Sequence, residues 1–345
     1  MTTLFKNLFA VGLLFAIASI SLSCKEDSET PAGEFSTGVL IVNEGAFGRS
    51  DGSITHYNPD SKMVTQDIYG KKNDGLALGD VVQSLTIEGD FAYAVVNNDN
   101  KVVVANAHNF QMQHVIGSVS LPRYFTTLNG KGYLTEWVNF TDPGRVAVIN
   151  LATHTVENTI ATDYGSENII AANSKLFVSN NFTNTISVVT LPASSTTIEV
   201  ANAPGDMVLD AEDKLWVLCG GNYGEENASL HRINTTTNTV EKVLELNMGA
   251  NRLAINKAKS QLYFTSGIQV YKISVTDTSV PENSFLTIEA AVGLYGIGVD
   301  PQTDEIYLAD AKGFAANGTI YRYTATGTLV DEFTAGKGPN GFVFR

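Results

Sequence analysis

The sequence has 345 residues, of which 43% are hydrophobic and 17% charged, and its formal net charge at pH 7 is −14. A chain of this length can bury a large core. A strongly acidic surface repels nucleic acid and does not attract anionic lipid. The composition therefore excludes a nucleic-acid-binding protein and a protein that binds membranes through basic charge.

The start of the chain has the pattern of a bacterial targeting signal. An apolar run from Leu8 to Ile20 is short for a membrane span, and small residues follow it. Leu22-Ser23-Cys24 resembles a lipobox. We expect residues 1–23 to be a lipoprotein signal peptide, Cys24 to be lipidated, and residues 24–37 to be a polar tether. The alternative is an ordinary signal peptide followed by an unrelated cysteine.

The rest of the chain repeats a pattern of strands with a period near 40 residues. Strong strand-like runs are separated by about 39 to 52 residues, and they begin near Val39, Phe91, Gly132, Lys175, Lys214, Gln261 and Glu305. A second strand, a polar turn, a third strand, a loop with Gly or Pro and a fourth strand follow each run. Four strands per repeat at this period predict an all-β, seven-bladed β-propeller of four-stranded blades. A pair of β-sandwiches or a β-solenoid is the alternative.

The last stretch, Gly338 to Arg345, reads as a single strand with no second strand after it. The first run, Val39 to Asn43, has no strand before it. We therefore expect Phe342 to Phe344 to become the innermost strand of the first blade, beside Leu40 to Val42. The ring would then span residues 38–345 and leave no open sheet edge.

The propeller topology sorts the loops between two faces. Loops that join the second and third strands of a blade, counted from the axis, and loops that enter the innermost strands emerge on the same face around the axis. This face collects aromatic, Asn and Arg residues, as a ligand-binding surface does. The candidate ligand-binding residues are Phe47, Arg49, Arg123, Tyr124, Trp137, Tyr164, Asn222, Tyr223, Asn251, Arg252, Tyr295 and Phe314. The alternative is that several of them pack under their own loops.

No motif in the sequence specifies catalysis. The histidines are scattered without the spacing of a metal site, and Gly336 to Gly341 matches a nucleotide-binding pattern without the helix that it requires. We expect no catalytic residue, no bound metal and no cofactor. A metal-dependent propeller enzyme stays as an alternative, because Glu44, Asn180 and Asp310 occupy roughly equivalent blade positions and could meet at the axis.

Several motifs resemble a known family of surface lipoproteins from Bacteroidota. Val42-Asn43-Glu44-Gly45, Gly52 to Pro59 and Leu78 to Ser84 resemble the opening of propellers that are grouped as DUF5074 or YncE-like. Lys25-Glu26-Asp27 resembles the signal that sends lipoproteins to the outer face of the outer membrane. The resemblance covers essentially the whole mature chain and implies an outer-membrane, lipid-anchored protein that faces the cell exterior.

The better-understood propellers of this group are BtuG-type proteins, which capture cobalamin and pass it to a TonB-dependent transporter. The resemblance implies a non-enzymatic receptor for a scarce nutrient, with a corrinoid as the preferred ligand and a TonB-dependent transporter as the partner. The alternatives are a protein- or matrix-binding scaffold and, less favoured, a metal-dependent lactonase or lyase.

Overall fold

The computed structural model describes residues 33–222 and 226–345, which form 28 β-strands in seven four-stranded antiparallel sheets. The sheets are the blades of a propeller, so the predicted seven-bladed all-β fold is confirmed. Blade 1 contains β1 (Val39–Asn43), β2 (Ser53–Asn58) and β3 (Met63–Thr65); blade 2 contains β4 (Val82–Glu88), β5 (Phe91–Val96), β6 (Lys101–Asn106) and β7 (Met112–Ile116); blade 3 contains β8 (Pro122–Leu128), β9 (Lys131–Glu136), β10 (Arg145–Asn150) and β11 (Thr155–Ala161).

The remaining blades follow in chain order. Blade 4 contains β12 (Ser166–Ala172), β13 (Lys175–Asn180), β14 (Thr185–Thr190) and β15 (Ser194–Glu199); blade 5 contains β16 (Pro204–Leu209), β17 (Leu215–Cys219), β18 (Ser229–Asn234) and β19 (Thr239–Glu245). Blade 6 contains β20 (Arg252–Ile255), β21 (Gln261–Ser266), β22 (Gln269–Ser274) and β23 (Leu286–Thr287); blade 7 contains β24 (Leu294–Val299), β25 (Ile306–Asp310), β26 (Asn317–Tyr323) and β27 (Leu329–Lys337); β28 (Pro339–Phe344) returns to blade 1 as its innermost strand.

The position of a strand in its blade decides how apolar it is. The second strands β5 and β13 are buried along almost their whole length, because neighbouring blades cover both faces of the sheet. The outermost strands β7 and β15 are mostly exposed. This gradient from axis to rim explains why the second strands are the strongest apolar runs of the sequence.

The ring closes between the two ends of the described chain. β28 pairs antiparallel with β1, with Val343 opposite Leu40 and Phe342 opposite Ile41, which is the predicted pairing. The rings of Phe342 and Phe344 also lie 5.9 and 5.4 Å from that of Tyr307 in blade 7. One strand therefore completes blade 1 and covers the face of blade 7.

Two short helices interrupt the strands of the described ranges. α1 (Ile68–Lys72) lies between β3 and β4, and a 3₁₀-helix (Lys312–Phe314) follows β25. The side chain of Asp67 accepts a hydrogen bond from the backbone N–H of Gly70 and so caps α1. Neither of these helices is long enough to cross a membrane.

A polar side chain at the end of several second strands holds the loop that arrives from the preceding blade. Asn43 Oδ1 accepts the backbone N–H of Gly336 at 3.0 Å, and Asp310 accepts that of Val292 at 3.0 Å. Glu136, which is fully buried, holds a loop N–H in the same way. We call these residues loop anchors, and they satisfy loop N–H groups that would otherwise be buried without a partner.

His231 on β18 gives the fold a testable pH dependence. Its Nε2 atom lies 3.3 Å from the backbone N–H of Ala201, which donates to it, and burial lowers the pKa of His231 from 6.5 to about 4. Between pH 6.5 and about pH 4 the unfolded chain therefore binds a proton at His231 that the folded chain does not bind. The free energy of unfolding falls as the pH falls through that window. The free energy of unfolding should drop by about 2 kcal/mol between pH 7 and pH 5 from this group.

The measurement is urea unfolding at both pH values for the wild type and for His231→Gln, which cannot titrate. The variant should lose less stability on acidification by about the same 2 kcal/mol. Identical pH dependence in the two proteins would contradict the assignment.

Candidate functional site

A β-bulge near the start of most innermost strands turns side chains toward the axis. In blade 2, Val82 pairs with Val96 and Ser84 pairs with Val95, so Gln83 between them has no partner. A bulge of this kind redirects the side chain of the extra residue. We call the equivalent residues of the blades the axial ring: Gln83, Arg123, Glu167, Gly205, Arg252, Tyr295 and Asn340.

Two cavities follow one another along the axis. The upper cavity, which we call the axial mouth, has a volume of about 320 Å³, and six axial ring residues border it together with Trp137. The lower cavity, of about 260 Å³, extends between the innermost strands past Tyr124 and Asn340. Both cavities are bordered by Asp206 and Arg252, so these two residues lie where the cavities meet. Volumes near 300 Å³ are at the lower end of ligand sites.

The first ion pair of the axial mouth is closed. Arg123 donates from Nε and Nη2 to the two carboxylate oxygens of Glu167, both at 2.8 Å. The guanidinium also lies 3.9 Å from the centre of the Trp137 ring. Bidentate pairing and stacking fix the Arg123 side chain in one orientation, so Arg123 and Glu167 form a rigid wall of the mouth.

The second ion pair is open. Arg252 Nη1 lies 4.0 Å from Asp206 Oδ1, which is too far for a hydrogen bond. Arg252 instead donates from Nε to the backbone carbonyl of Tyr295 and stacks on that ring at 4.7 Å. Asp206 accepts the backbone N–H of Leu253 through Oδ2 at 3.0 Å. Burial raises the pKa of Asp206 above its ordinary value.

A third carboxylate, Glu44, lies beside the axial ring. It accepts hydrogen bonds from Tyr295 Oη at 3.2 Å and from Asn340 Nδ2 at 2.7 Å. Burial raises the pKa of Glu44, while these hydrogen bonds and the two arginines oppose the rise. Burial, together with the neighbouring Glu44 charge, raises the pKa of Tyr295 to about 12. The carboxylate thus links the ring residues of blades 1 and 7.

Three aromatic side chains, two of them exposed, flank the axial mouth above blades 3 and 4. The Trp137 ring lies 4.8 Å from that of Phe182 and 5.9 Å from that of Phe140. Phe140 is 71% exposed and Phe182 is 40% exposed. We call these three residues the aromatic wall. Its continuity with the stacked Arg123 places a broad apolar surface directly beside the charged mouth.

The structure brings together about half of the candidate residues predicted from the sequence. Those that border the axial mouth are Arg123, Trp137, Asn251, Arg252 and Tyr295, while Tyr124 borders the lower cavity. The ring of Phe314 lies 5.2 Å from that of Tyr295 and borders an adjoining apolar hollow. The expected position of Arg123, Tyr124, Arg252 and Tyr295 in loops was wrong, because these residues belong to the bulged or opening segments of β8, β20 and β24.

The other candidates lie away from both cavities or outside the described residues. Phe47, Arg49, Tyr164 and Asn222 are exposed in loops on the same face as the mouth. Neither cavity is bordered by any of these four. Tyr223 and the lipidation candidate Cys24 are outside the described residues.

Sequence reasoning missed several polar residues of the site. Gln83, Glu167, Asp206 and Asn340 were not among the candidates, although the structure places them at the cavities. An alignment of the repeats on the first residue of each innermost strand would have put Gln83, Glu167 and Asn340 in register with Arg123. This shared position in the repeat was the sequence signal that could have identified these three residues.

The alternative of an axial metal held by Glu44, Asn180 and Asp310 is not supported by their positions. Asp310 is a loop anchor, and Asn180 Nδ2 donates to Thr185 and Ser187 within its own blade. Of the three, Glu44 is the one whose side chain hydrogen-bonds to axial ring residues in the described ranges. Within residues 33–222 and 226–345, no cluster of three or more His, Cys, Asp or Glu side chains could hold a metal ion.

Known structures share the fold of this chain at low sequence identity. A quinonprotein alcohol dehydrogenase-like protein from Bacteroides thetaiotaomicron is 16% identical, with a TM-score of 0.70 over 90% of this chain and 78% of that one. A functionally unknown protein from Desulfotomaculum acetoxidans is 11% identical, with a TM-score of 0.68 over 89% of this chain and 98% of that one. Virginiamycin B lyase from Staphylococcus aureus is 15% identical, with a TM-score of 0.59 over 76% and 87%. These similarities establish the fold alone.

Sequence comparison identifies the family. No curated protein matches the chain in sequence. The model of a domain of unknown function, DUF5074, matches residues 37–344, which is almost all of the described ring. The match agrees with the resemblance seen in the opening blade, and the chain therefore belongs to the DUF5074 family of β-propellers.

Proposed function

We propose that this protein is a non-catalytic receptor that captures a nutrient at the axial mouth, with a corrinoid such as cobalamin as the preferred ligand. One observation carries the proposal. Within the described residues, the exposed aromatic side chains are Phe47, Phe140, Tyr164 and Phe182, and all four lie in loops on the face that holds the mouth. Exposed aromatic residues grouped on one face are typical of a binding surface.

The shape and chemistry of this face support a broad ligand. The aromatic wall offers rigid apolar contact, and an apolar hollow of about 290 Å³ lies near Phe314 on another side of the mouth. Between them, Arg252 and Asp206 offer a hydrogen-bond donor and an acceptor. A wide ligand with apolar edges and polar groups near its centre would contact all three regions, and capture requires affinity alone.

The cellular context is part of the same proposal. Lipidation at Cys24 would hold the protein on the outer membrane facing the cell exterior, and a TonB-dependent transporter would receive the captured ligand. The lipobox-like sequence and the family membership support this context.

Gly205 provides a steric test of the proposed binding site. It is the axial ring residue without a side chain, and an added Cβ would be 3.8 Å or more from its neighbours. Gly205→Leu should therefore fill the mouth at little cost in stability. In calorimetric titration of the soluble form without residues 1–24, cyanocobalamin should bind the wild type one to one and should bind Gly205→Leu at least about tenfold more weakly.

Gly117→Leu is the matched control, because an added Cβ there has no neighbour within 4 Å and the residue borders neither cavity. Its affinity should equal that of the wild type. The absence of any heat from the wild type would overturn the corrinoid proposal and favour the alternative that the aromatic wall binds a protein or matrix partner.

A further inference from the structure

The two ion pairs of the axial mouth differ in a way that points to the chemistry of the ligand. Arg123 and Glu167 satisfy each other at 2.8 Å. Arg252 and Asp206 face each other at 4.0 Å, although each is held firmly through other atoms. The open pair therefore has a fixed gap that its own side chains do not close.

The atoms that face this gap have no other hydrogen-bond partner in the described parts of the chain. Arg252 uses Nε for the Tyr295 carbonyl, which leaves Nη1 and Nη2 without an acceptor. Asp206 uses Oδ2 for the Leu253 N–H, which leaves Oδ1 without a donor. The two side chains are 19% and 20% exposed and border both cavities. A donor and an acceptor thus stand side by side where a ligand can reach them.

The balance of charges around the gap favours a neutral ligand group. An anion that contacts Arg252 would also approach Asp206 and the nearby carboxylate of Glu44. A cation that contacts Asp206 would approach Arg252 itself. Like charges at such short distances in a poorly solvated site are costly. A neutral group that both donates and accepts avoids either repulsion.

We propose that the Asp206–Arg252 pair is a recognition site for a primary carboxamide, whose oxygen accepts from Arg252 Nη1 and whose NH₂ group donates to Asp206 Oδ1. In an amide the oxygen and nitrogen are about 2.3 Å apart. Two hydrogen bonds of about 2.9 Å would then span the observed gap of 4.0 Å in one plane. This inference rests on the proposed function and names the group by which the ligand is held.

The test uses three small probes of nearly equal shape: propionamide, propionate and propylammonium. Ligand-observed NMR on the full soluble ring should detect propionamide at millimolar concentration, with both charged probes at least about tenfold weaker. Arg252→Lys keeps the charge but loses the planar fork, and it should weaken propionamide about tenfold. Asp206→Ala should do the same.

Arg232→Lys is the matched control, because Arg232 pairs with Asp210 at 2.9 Å and borders neither cavity. It should leave propionamide binding unchanged. Equal binding of propionate, or propionamide binding that survives both Arg252→Lys and Asp206→Ala, would overturn the inference.

The same variants separate this inference from the proposed function. If propionamide binds as expected and cyanocobalamin does not, the amide site stands and the corrinoid proposal fails. If cyanocobalamin and propionamide both bind the wild type and Arg252→Lys equally well, the corrinoid proposal stands and the amide site fails.

Discussion

A chain without Pro339–Arg345 is expected to aggregate or to be cut rapidly by proteases. The deletion removes β28, so β1 becomes an open sheet edge that can pair with another chain. It also removes Phe342 and Phe344 from the contact with Tyr307 in blade 7. The lost apolar burial is worth roughly 5 kcal/mol, which is comparable with the whole stability of many proteins. Limited proteolysis and size-exclusion chromatography measure the outcome.

Arg345→Ala is the control for the terminal residue alone. Arg345 donates from its side chain to the Ala107 carbonyl but lies outside β28. This variant should keep the size-exclusion profile and the protease resistance of the wild type. A deletion variant with the melting temperature of the wild type would contradict the closure of the ring by β28.

Trp216→Ala should produce the largest loss of stability from a single substitution. Trp216 on β17 is fully buried in the core between blades 5 and 6, and its indole N–H donates to Asp210 Oδ2 at 3.0 Å. Truncation leaves a large cavity, for which the expected cost is about 3 to 5 kcal/mol. For a ring of this size the melting temperature should fall by about 10 °C, as measured by circular dichroism.

Trp216→Phe separates packing from the hydrogen bond. The smaller ring keeps much of the apolar contact but leaves Asp210 without the indole donor, so the expected loss is about 2 kcal/mol. If the two variants melted at the same temperature, the hydrogen bond rather than the packing would account for the loss.

The strand pattern of the sequence was enough to predict the ring and its closure. The runs at Leu40 to Val42 and Phe342 to Phe344 are apolar on both sides, as in strands covered on both faces, and each lacked a partner in its own repeat. The same pattern could not predict the bulges. A shift of one residue moves a side chain to the other face of a strand, so Asp206 read as part of an ordinary strand although it faces the axis.

The sequence did not show which side chains pair across blades, and the reason is different. Arg123 was a candidate because an arginine beside aromatic residues suggests a binding face, but its partner Glu167 is 44 residues away. The loop anchors could not be predicted either. Asn43, Glu136 and Asp310 occupy the same position in their blades and each accepts a loop N–H, but they are different residue types. Each needs only an acceptor oxygen at that place, and several side chains provide one.

The first described residues enter blade 1 on the face of the ring that is opposite the axial mouth. Phe35 donates its backbone N–H to the carbonyl of His108, in the turn between β6 and β7, and Arg345 donates its own to Gly38. Both contacts lie at turns on the opposite face. A tag or support joined to the residues before Gly33 is therefore attached to the ring on the face opposite the axial mouth and the aromatic wall.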